Sequence, residues 1–382
     1  MRKAARRTVT CHLFTCDVSL GDGYVPNPET PSVREAAEID PALARYSRQI
    51  LFAPFGEHSQ RCLRHAHVTL VGCGALGSVS ANALVRAGVG HLRLIDRDFI
   101  ELDNLQRQVL YDEHDIAENL PKAEAAARKL RRINSSVEIE PHVADVNPGN
   151  VESLCRDADL ILDGTDNFET RFLVNDVAVK SGTPWVYGAC IGSEGLVMPI
   201  LPRQTPCLSC IWEDAPPPGM SPTCDTAGVL APIVNIVASL QVTEAFKILA
   251  GKLEELHREL VTIDAWAGTF RSLNMQAAYD SGDCPCCKQG RYEFLCGQRA
   301  SASTSLCGRN AVQVLPPAGR GAVSFRELAE RLRMLGPRHN EYLLRFRVDA
   351  CEVTLFPDGR AIIKGTADTA VARTLYAKYI GT

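Results

Sequence analysis

Val68-Thr-Leu-Val-Gly-Cys-Gly-Ala-Leu-Gly77 is an apolar run that breaks into three glycines and passes into the helix-compatible Ser78-Val-Ser-Ala-Asn-Ala-Leu-Val-Arg86. The pattern predicts a strand, a nucleotide-binding turn and a helix. Gly72 permits the tight turn, Gly74 lets a ligand approach the backbone, and Gly77 lets the helix pack close to the strand. Amides at the helix N-terminus beyond such a turn favour anionic groups. Dehydrogenases carry the same pattern, and a glycine-rich turn also exists for packing alone, so neighbouring residues must decide which nucleotide is bound.

Working outward, residues 89–96 (Val-Gly-His-Leu-Arg-Leu-Ile-Asp) read as a second strand. It ends in an acid at about the distance where dinucleotide folds place a ribose-binding carboxylate. Residues 98–108 are polar and amide-rich without a period, as expected of a loop that carries ligand contacts. Residues 121–133 predict a helix with proline in its first turn and basic residues towards its end. Lys122 in that first turn opposes the helix dipole; either an anion lies nearby or the lysine is simply exposed. Residues 159–167 form another apolar run into a polar turn, with Asp166 at its end. Ligands collect outside the carboxyl ends of parallel strands, so Asp96 and Asp166 are expected to face one crevice. A helix over 168–181 and strands over 184–188 and 195–201 continue the alternation of an α/β fold.

Before this block, Arg45 and Arg48 share a helical face, which in the plainest reading is solvated. Residues 1–40 mix Gly, Pro, Thr and charge without a period and are expected to be a flexible leader. Residues 212–228 are too rich in proline and small residues for regular structure. Residues 232–250 predict a helix apolar on nearly every face and closed by Gly251, which implies deep burial or a subunit interface. Strands near 260–263 and 269–275 follow. From about residue 299 a run at 311–315, a helix at 324–335, a hairpin across Pro357-Asp-Gly359 and a helix near 367–379 suggest a compact α+β appendage without a catalytic motif.

The chain has 382 residues, a formal net charge of -4 and 23% charged residues, so it offers no basic field for nucleic acid or anionic lipid. No apolar run reaches the roughly 20 residues that span a bilayer, and a cytoplasmic protein is expected. The 15 cysteines are odd in number. Cys62, Cys73 and Cys155 read as buried small hydrophobes. Cys207-Leu-Ser-Cys210 and Cys284-Pro-Cys-Cys287 stand apart as close pairs.

Taken in order, Arg45-Tyr-Ser-Arg-Gln, Gly72-Cys-Gly-Ala-Leu-Gly, Asp96-Arg-Asp, Asn104-Leu-Gln-Arg-Gln, Pro121-Lys, Thr165-Asp-Asn and the two CxxC pairs resemble the ThiF/MoeB family of adenylyltransferases, over roughly residues 42–290. That family is akin to the adenylation domain of ubiquitin-activating enzymes. The resemblance implies a Rossmann-like ATP-binding α/β fold, with a mostly parallel sheet and a zinc-tied C-terminal half, across residues 41–295, followed by the small α+β domain at 300–382. It implies adenylation of the C-terminal Gly carboxylate of a ubiquitin-like sulfur carrier of ThiS or MoaD type, for thiamine or molybdopterin biosynthesis.

By the same resemblance, Arg107 and Lys122 hold the phosphates, and Arg48 reaches into the neighbouring subunit's site of a homodimer. Asp96 binds ribose, Asp166 the magnesium ion, and Asn104 and Gln108 complete the polar loop. Gly72, Gly74, Ala75, Gly77, Asp98 and Asn167 belong to the nucleotide-binding set. Cys207, Cys210, Cys284 and Cys287 form a structural zinc site, Cys287 being favoured over Cys286 by spacing and by the family pattern. Cys224 aligns with a cysteine that in some relatives links covalently to sulfur or to the carrier.

Ala75 stands where the family commonly has glycine, and Asp103 where serine is frequent. Neither Cys307-Gly-Arg-Asn nor Cys351-Glu-Val-Thr resembles a rhodanese loop, so sulfur is expected from a separate donor such as a cysteine desulfurase or rhodanese. The ending Ile380-Gly-Thr382 is not that of a fused carrier. Other readings are an adenylating relative acting on a modified tRNA base or a peptide, a catalytically silent scaffold, and a Rossmann NAD-dependent oxidoreductase. The last leaves Arg48, Arg107, Lys122, Asp166 and the zinc ligands without a role.

Overall fold

The structure, a computed structural model, describes residues 40–212, 227–299, 305–306, 310–316 and 323–381. The proposed leader up to residue 39, most of the 212–228 loop, Cys224 and Cys307 lie outside the described residues. The chain divides into two compact units, Met1–Ser47 and Arg48–Thr382. In the first, a 3-10 turn at Pro41–Tyr46 starts where the Asp40 carboxylate accepts the Ala42 N–H at 2.9 Å. Both sheets belong to the second.

Helix α1 (Gly56–His65) leads into strand β1 (His67–Val71), which gives way to helix α2 (Ala75–Ala87). β2 (His91–Asp96), α3 (Lys122–Ile133), β3 (Glu138–Val143), β4 (Leu160–Asp163), α4 (Phe168–Ser181) and β5 (Trp185–Ile191) follow. These five strands are parallel in the order β3-β2-β1-β4-β5. β6 (Glu194–Ile200), β7 (Leu260–Asp264) and β8 (Thr269–Leu273) then extend the sheet as an antiparallel meander. The fold is Rossmann-like α/β. Strand order reverses between β1 and β4, so the crevice outside their carboxyl ends is where ligands bind in open sheets of this kind.

Helix α5 (Ala231–Leu249) corrects one expectation, because its length and composition would suffice to cross a membrane. Half of its most apolar stretch is buried, and it packs on α2, β5 and β6. Buried Gln241 donates to the Asp163 and Val186 carbonyls at 2.9 and 3.2 Å, which ties the helix to the sheet. It is a core helix.

Among the C-terminal residues, β9 (Ser305–Leu306), β10 (Ala311–Val314), β11 (Arg338–His339), β12 (Leu344–Val348), β13 (Cys351–Leu355) and β14 (Ala361–Lys364) form a second, antiparallel sheet. Helices α6 (Phe325–Arg331) and α7 (Thr369–Tyr379) accompany it. The hairpin at Pro357–Gly359 joins β13 to β14, whereas the β11–β12 pair has no strong turn signature in the sequence.

The glycine turn shows why these residues fold this way. Gly72 has φ +91°, and a Cβ there would lie 2.5 Å from the Gly164 carbonyl oxygen. A Cβ on Gly77 would lie 1.9 Å from the Gly72 oxygen. The start of α2 is therefore packed against the turn and the end of β4 with no room for a methyl group. Gly77→Ala is expected to cost about 3 kcal/mol or more of stability, the upper range of overpacking, read as a lower urea midpoint; a midpoint equal to wild type would contradict this packing.

Candidate nucleotide site and thiol cluster

Gly74 differs from its neighbours: a Cβ built on it would meet nothing nearer than the Gln108 side-chain nitrogen at 3.9 Å. The backbone is open there, as a turn that admits a ligand requires. Gln108 is buried, and its side-chain oxygen has no hydrogen-bond partner. An open backbone cradle beside an orphaned acceptor fits a bound polar ligand. Ala75 begins α2 at the same turn.

Asp96 closes β2 with both carboxylate oxygens engaged: the Cys73 N–H donates to one at 2.6 Å and the Asp98 N–H to the other at 2.7 Å. Burial raises its pKa, with Lys122 opposing. Lys122 is 3% exposed, which excludes the solvated lysine. Its Nζ lies 3.5 Å from Asp98, and its backbone N–H donates to the Asp98 carbonyl at 2.9 Å. Pro121 is the N-cap of α3, not part of its first turn, which makes Lys122 the first helical residue. An ammonium is thus held against the helix dipole by a carboxylate. Buried Tyr111 joins this point to the glycine turn, donating to the Cys73 and Lys122 carbonyls at 2.7 and 3.2 Å.

Arg107 is half-buried and donates to the Asp103 carbonyl at 2.7 Å, while Asp103 itself is exposed. Asn104 is buried in a local cap, accepting the Glu101 N–H at 3.2 Å. Asp166 is exposed at the end of β4, and its charge contributes to holding Arg97 and Arg171 protonated. Asn167 caps α4, accepting the Glu169 N–H at 2.8 Å. Under this turn lies a buried pair: Arg171 Nε meets Asp163 at 3.0 Å and Arg171 also donates to the Thr165 and Gly188 carbonyls. The structure thus gathers Gly74, Asp96, Asp98, Gln108 and Lys122. Arg48 is exposed, and among the described residues no hydrogen bond or ion pair connects it to this group. Tyr111, Asp163 and Arg171 carry no motif by which the sequence would have singled them out.

The Sγ atoms of Cys207, Cys210, Cys284 and Cys287 lie within 4.8 Å of one another. Cys207 is 3.8 Å from Cys210 and 3.6 Å from Cys284, and Cys210 is 3.4 Å from Cys287. Thiolates about 2.3 Å from a central zinc stand about 3.8 Å apart, so the donor set and spacing fit that ion. Thiol donors from Cys210 and Cys284 pull the Cys207 pKa down. Cys286 lies outside this group of four although its thiol also reaches Cys207, and it accepts from Asn175 at 3.4 Å, while Asp176 accepts the Phe294 and Leu295 N–H groups. Cys73 and Cys155 are buried as expected, but Cys62 is half-buried and sits 3.6 Å from His58. His67, His91 and Glu140 form a second possible ligand group, but the Arg93 guanidinium already meets Glu140 at 2.9 Å.

Residues 46–286 match the family model described as the ThiF family. A Sulfur carrier protein ThiS adenylyltransferase from Bacillus subtilis is 46% identical over 339 residues, 88% of this chain and 99% of that protein. Adenylyltransferase and sulfurtransferase MOCS3 from Xenopus laevis is 34% identical over 278 residues, 71% of this chain and 61% of that protein. A crystal structure of E. coli MccB with ATP is similar at 25% identity and a TM-score of 0.53, covering 60% of this chain and 71% of that one. With the family model covering well over half of its length, this chain belongs to the ThiF family and is an enzyme of the adenylyltransferase class.

Proposed function

We propose that this chain adenylates the C-terminal glycine carboxylate of a ubiquitin-like sulfur-carrier protein, using ATP. The observation that carries this is the buried Lys122 ammonium beside an open glycine turn. The carboxylate and the triphosphate repel each other, so a reaction between them needs fixed positive charge in a water-poor site. The carrier carboxylate attacks the α-phosphorus; an acyl–phosphate bond forms, the bond to the bridging oxygen of the β-phosphate breaks, and pyrophosphate leaves with that electron pair. Asp96 accepts from the ribose hydroxyls with its remaining lone pairs. Lys122 and Arg107 bind phosphate oxygens, and Gln108 and Asn104 line the polar loop with Asp98. Asp166 holds magnesium, which supplies positive charge to the phosphate oxygens.

Of the two carrier types, ThiS is favoured. A match over 88% of the chain must enter the C-terminal residues wherever it begins, whereas the MOCS3 match covers 71%. The chain then serves thiamine biosynthesis in the cytoplasm, with zinc in the four-cysteine site and sulfur from a separate desulfurase or rhodanese. Arg48 stands beside exposed Leu51 and Phe52 and completes the partner's site in a homodimer. Residues 41–295 are the adenylation domain and 300–382 an accessory domain. If Cys224 carries a covalent link, Cys224→Ala retains pyrophosphate exchange and loses sulfur transfer.

Exchange assays with ThiS-type and MoaD-type carriers in parallel test the choice. A higher kcat/KM with ThiS is expected, and preference for MoaD overturns it. Lys122→Met keeps the side-chain volume and removes the charge. Exchange is expected to fall on the order of a hundredfold with unchanged zinc content, and wild-type exchange in this variant removes Lys122 from the site.

A further inference from the structure

The β10–β14 sheet does not stand clear of the crevice. A line of polar groups runs from it to the site lysine. Arg360, 1% exposed, donates from Nη1 to Gln313 Oε1 at 3.4 Å. The same Gln313 oxygen accepts from Arg97 at 3.3 Å, while Gln313 Nε2 donates to Asp145 at 2.6 Å. Arg97 meets Asp145 at 2.7 Å and Asp98 at 3.8 Å, and Asp98 meets Lys122.

Two further struts hold the same loop. Lys364 pairs with Glu101, and the Phe356 ring packs on Phe99 at 5.4 Å in a buried cluster with Ala311, Leu343 and Ile362. Phe99 is itself bridged to Pro121, the residue before Lys122. Arg97, Phe99 and Glu101 thus each meet a residue of the C-terminal sheet, while Asp98 meets Lys122 at the start of α3.

Arg360 adds a second indication. Its guanidinium lies over Phe356 at 3.6 Å, and two of its nitrogens, Nε and Nη2, have no hydrogen-bond partner. A buried cation kept with unsatisfied donors costs stability. Burial lowers its pKa, and the Asp145, Asp358 and Asp98 carboxylates oppose this by favouring its charged form, with Asp358 3.7 Å from Nε.

We propose that the C-terminal sheet sets the nucleotide affinity of the crevice by fixing the Arg97–Glu101 loop, with Gln313, Arg360 and Lys364 as positioning residues acting through Asp98 on Lys122. This rests on the ATP-binding reading of the crevice. Loops are the least rigid part of such a site, and a displacement of the order of 1 Å in a phosphate-binding cation is felt strongly in binding and rate.

The test uses the full-length, zinc-loaded chain. Gln313→Met and Lys364→Glu are compared with wild type for ATP Kd by calorimetry, KM for carrier, Tm and zinc content. Each is expected to raise the ATP Kd about tenfold, the worth of one charge-assisted contact, with carrier KM unchanged. Lys364→Arg retains wild-type affinity, and Glu101→Lys combined with Lys364→Glu recovers it. Wild-type Kd in both single variants overturns the proposal, as does a weakened Kd that follows Tm and is not recovered by the charge swap. If wild type binds ATP but no carrier supports exchange, the carrier assignment fails while the Kd comparison still decides the positioning role. If wild type binds no ATP, both fall.

Discussion

Replacing Asp166 by alanine is expected to lower carrier-dependent pyrophosphate exchange by about a thousandfold, the scale of losing a metal-held charge at the reacting phosphates. The carboxylate is exposed at the carboxyl end of β4, so its removal leaves no cavity, and what the fold loses is its electrostatic support of Arg97 and Arg171. The turn beneath it is held independently, by Asp163 accepting the Thr165 N–H at 2.9 Å and pairing with Arg171. Stability should therefore stay within about 0.5 kcal/mol of wild type. A loss of activity accompanied by unfolding would point to structure, and full activity would remove Asp166 from the mechanism.

The second large effect concerns the thiols. Cys284→Ser is expected to abolish stoichiometric zinc binding and lower the unfolding midpoint by about 4 °C, the shift that about 3 kcal/mol produces in a chain of this size. The ion would tie the segment after β6 to the segment after β8, which are separated by 77 residues between Cys207 and Cys284. Extended dialysis against a strong chelator should produce the same shift in wild type and none in the variant. The control is Cys286→Ser, whose Sγ faces Asn175 and lies outside the group of four. It should retain zinc. Loss of zinc in the Cys286 variant with retention in the Cys284 variant would reverse the ligand assignment.

Much of this was legible in the sequence because local chemistry specifies it. The strand into Gly72, Gly74 and Gly77 needs no distant partner to be read, since the turn accepts only residues that fit a positive φ and a close helix. β2 ends at Asp96 as read, β4 ends at Asp163 with Asp166 three residues on in the turn, and the helix at Phe168–Ser181 has the bounds that its pattern predicts. Two CxxC pairs carry their own geometry.

What the sequence did not disclose depends on contacts between positions far apart. The Arg171–Asp163 pair looks like an ordinary charge on a helix until β4 and α4 are packed together. Asn175 and Asp176, which receive N–H groups from the cysteine-bearing segments, have no motif. Lys122 was ambiguous because a first-turn lysine is exposed or buried according to what covers it, and that cover comes from the loop ending in Glu101. Gln313 and Asp145 are 168 residues apart and meet only when the second sheet docks. The apolar Ala231–Leu249 helix was legible as a buried or interface helix, but its composition measures how much of it avoids water, not whether protein or lipid covers it.

Carrier-dependent exchange of labelled pyrophosphate into ATP tests the central claim most directly. With magnesium, ATP and a ThiS-type carrier ending in Gly-Gly, purified protein is expected to catalyse exchange, and a carrier lacking its last glycine should not support it. No exchange with any ThiS- or MoaD-type carrier, together with tight binding of NAD to the same crevice, would contradict the account.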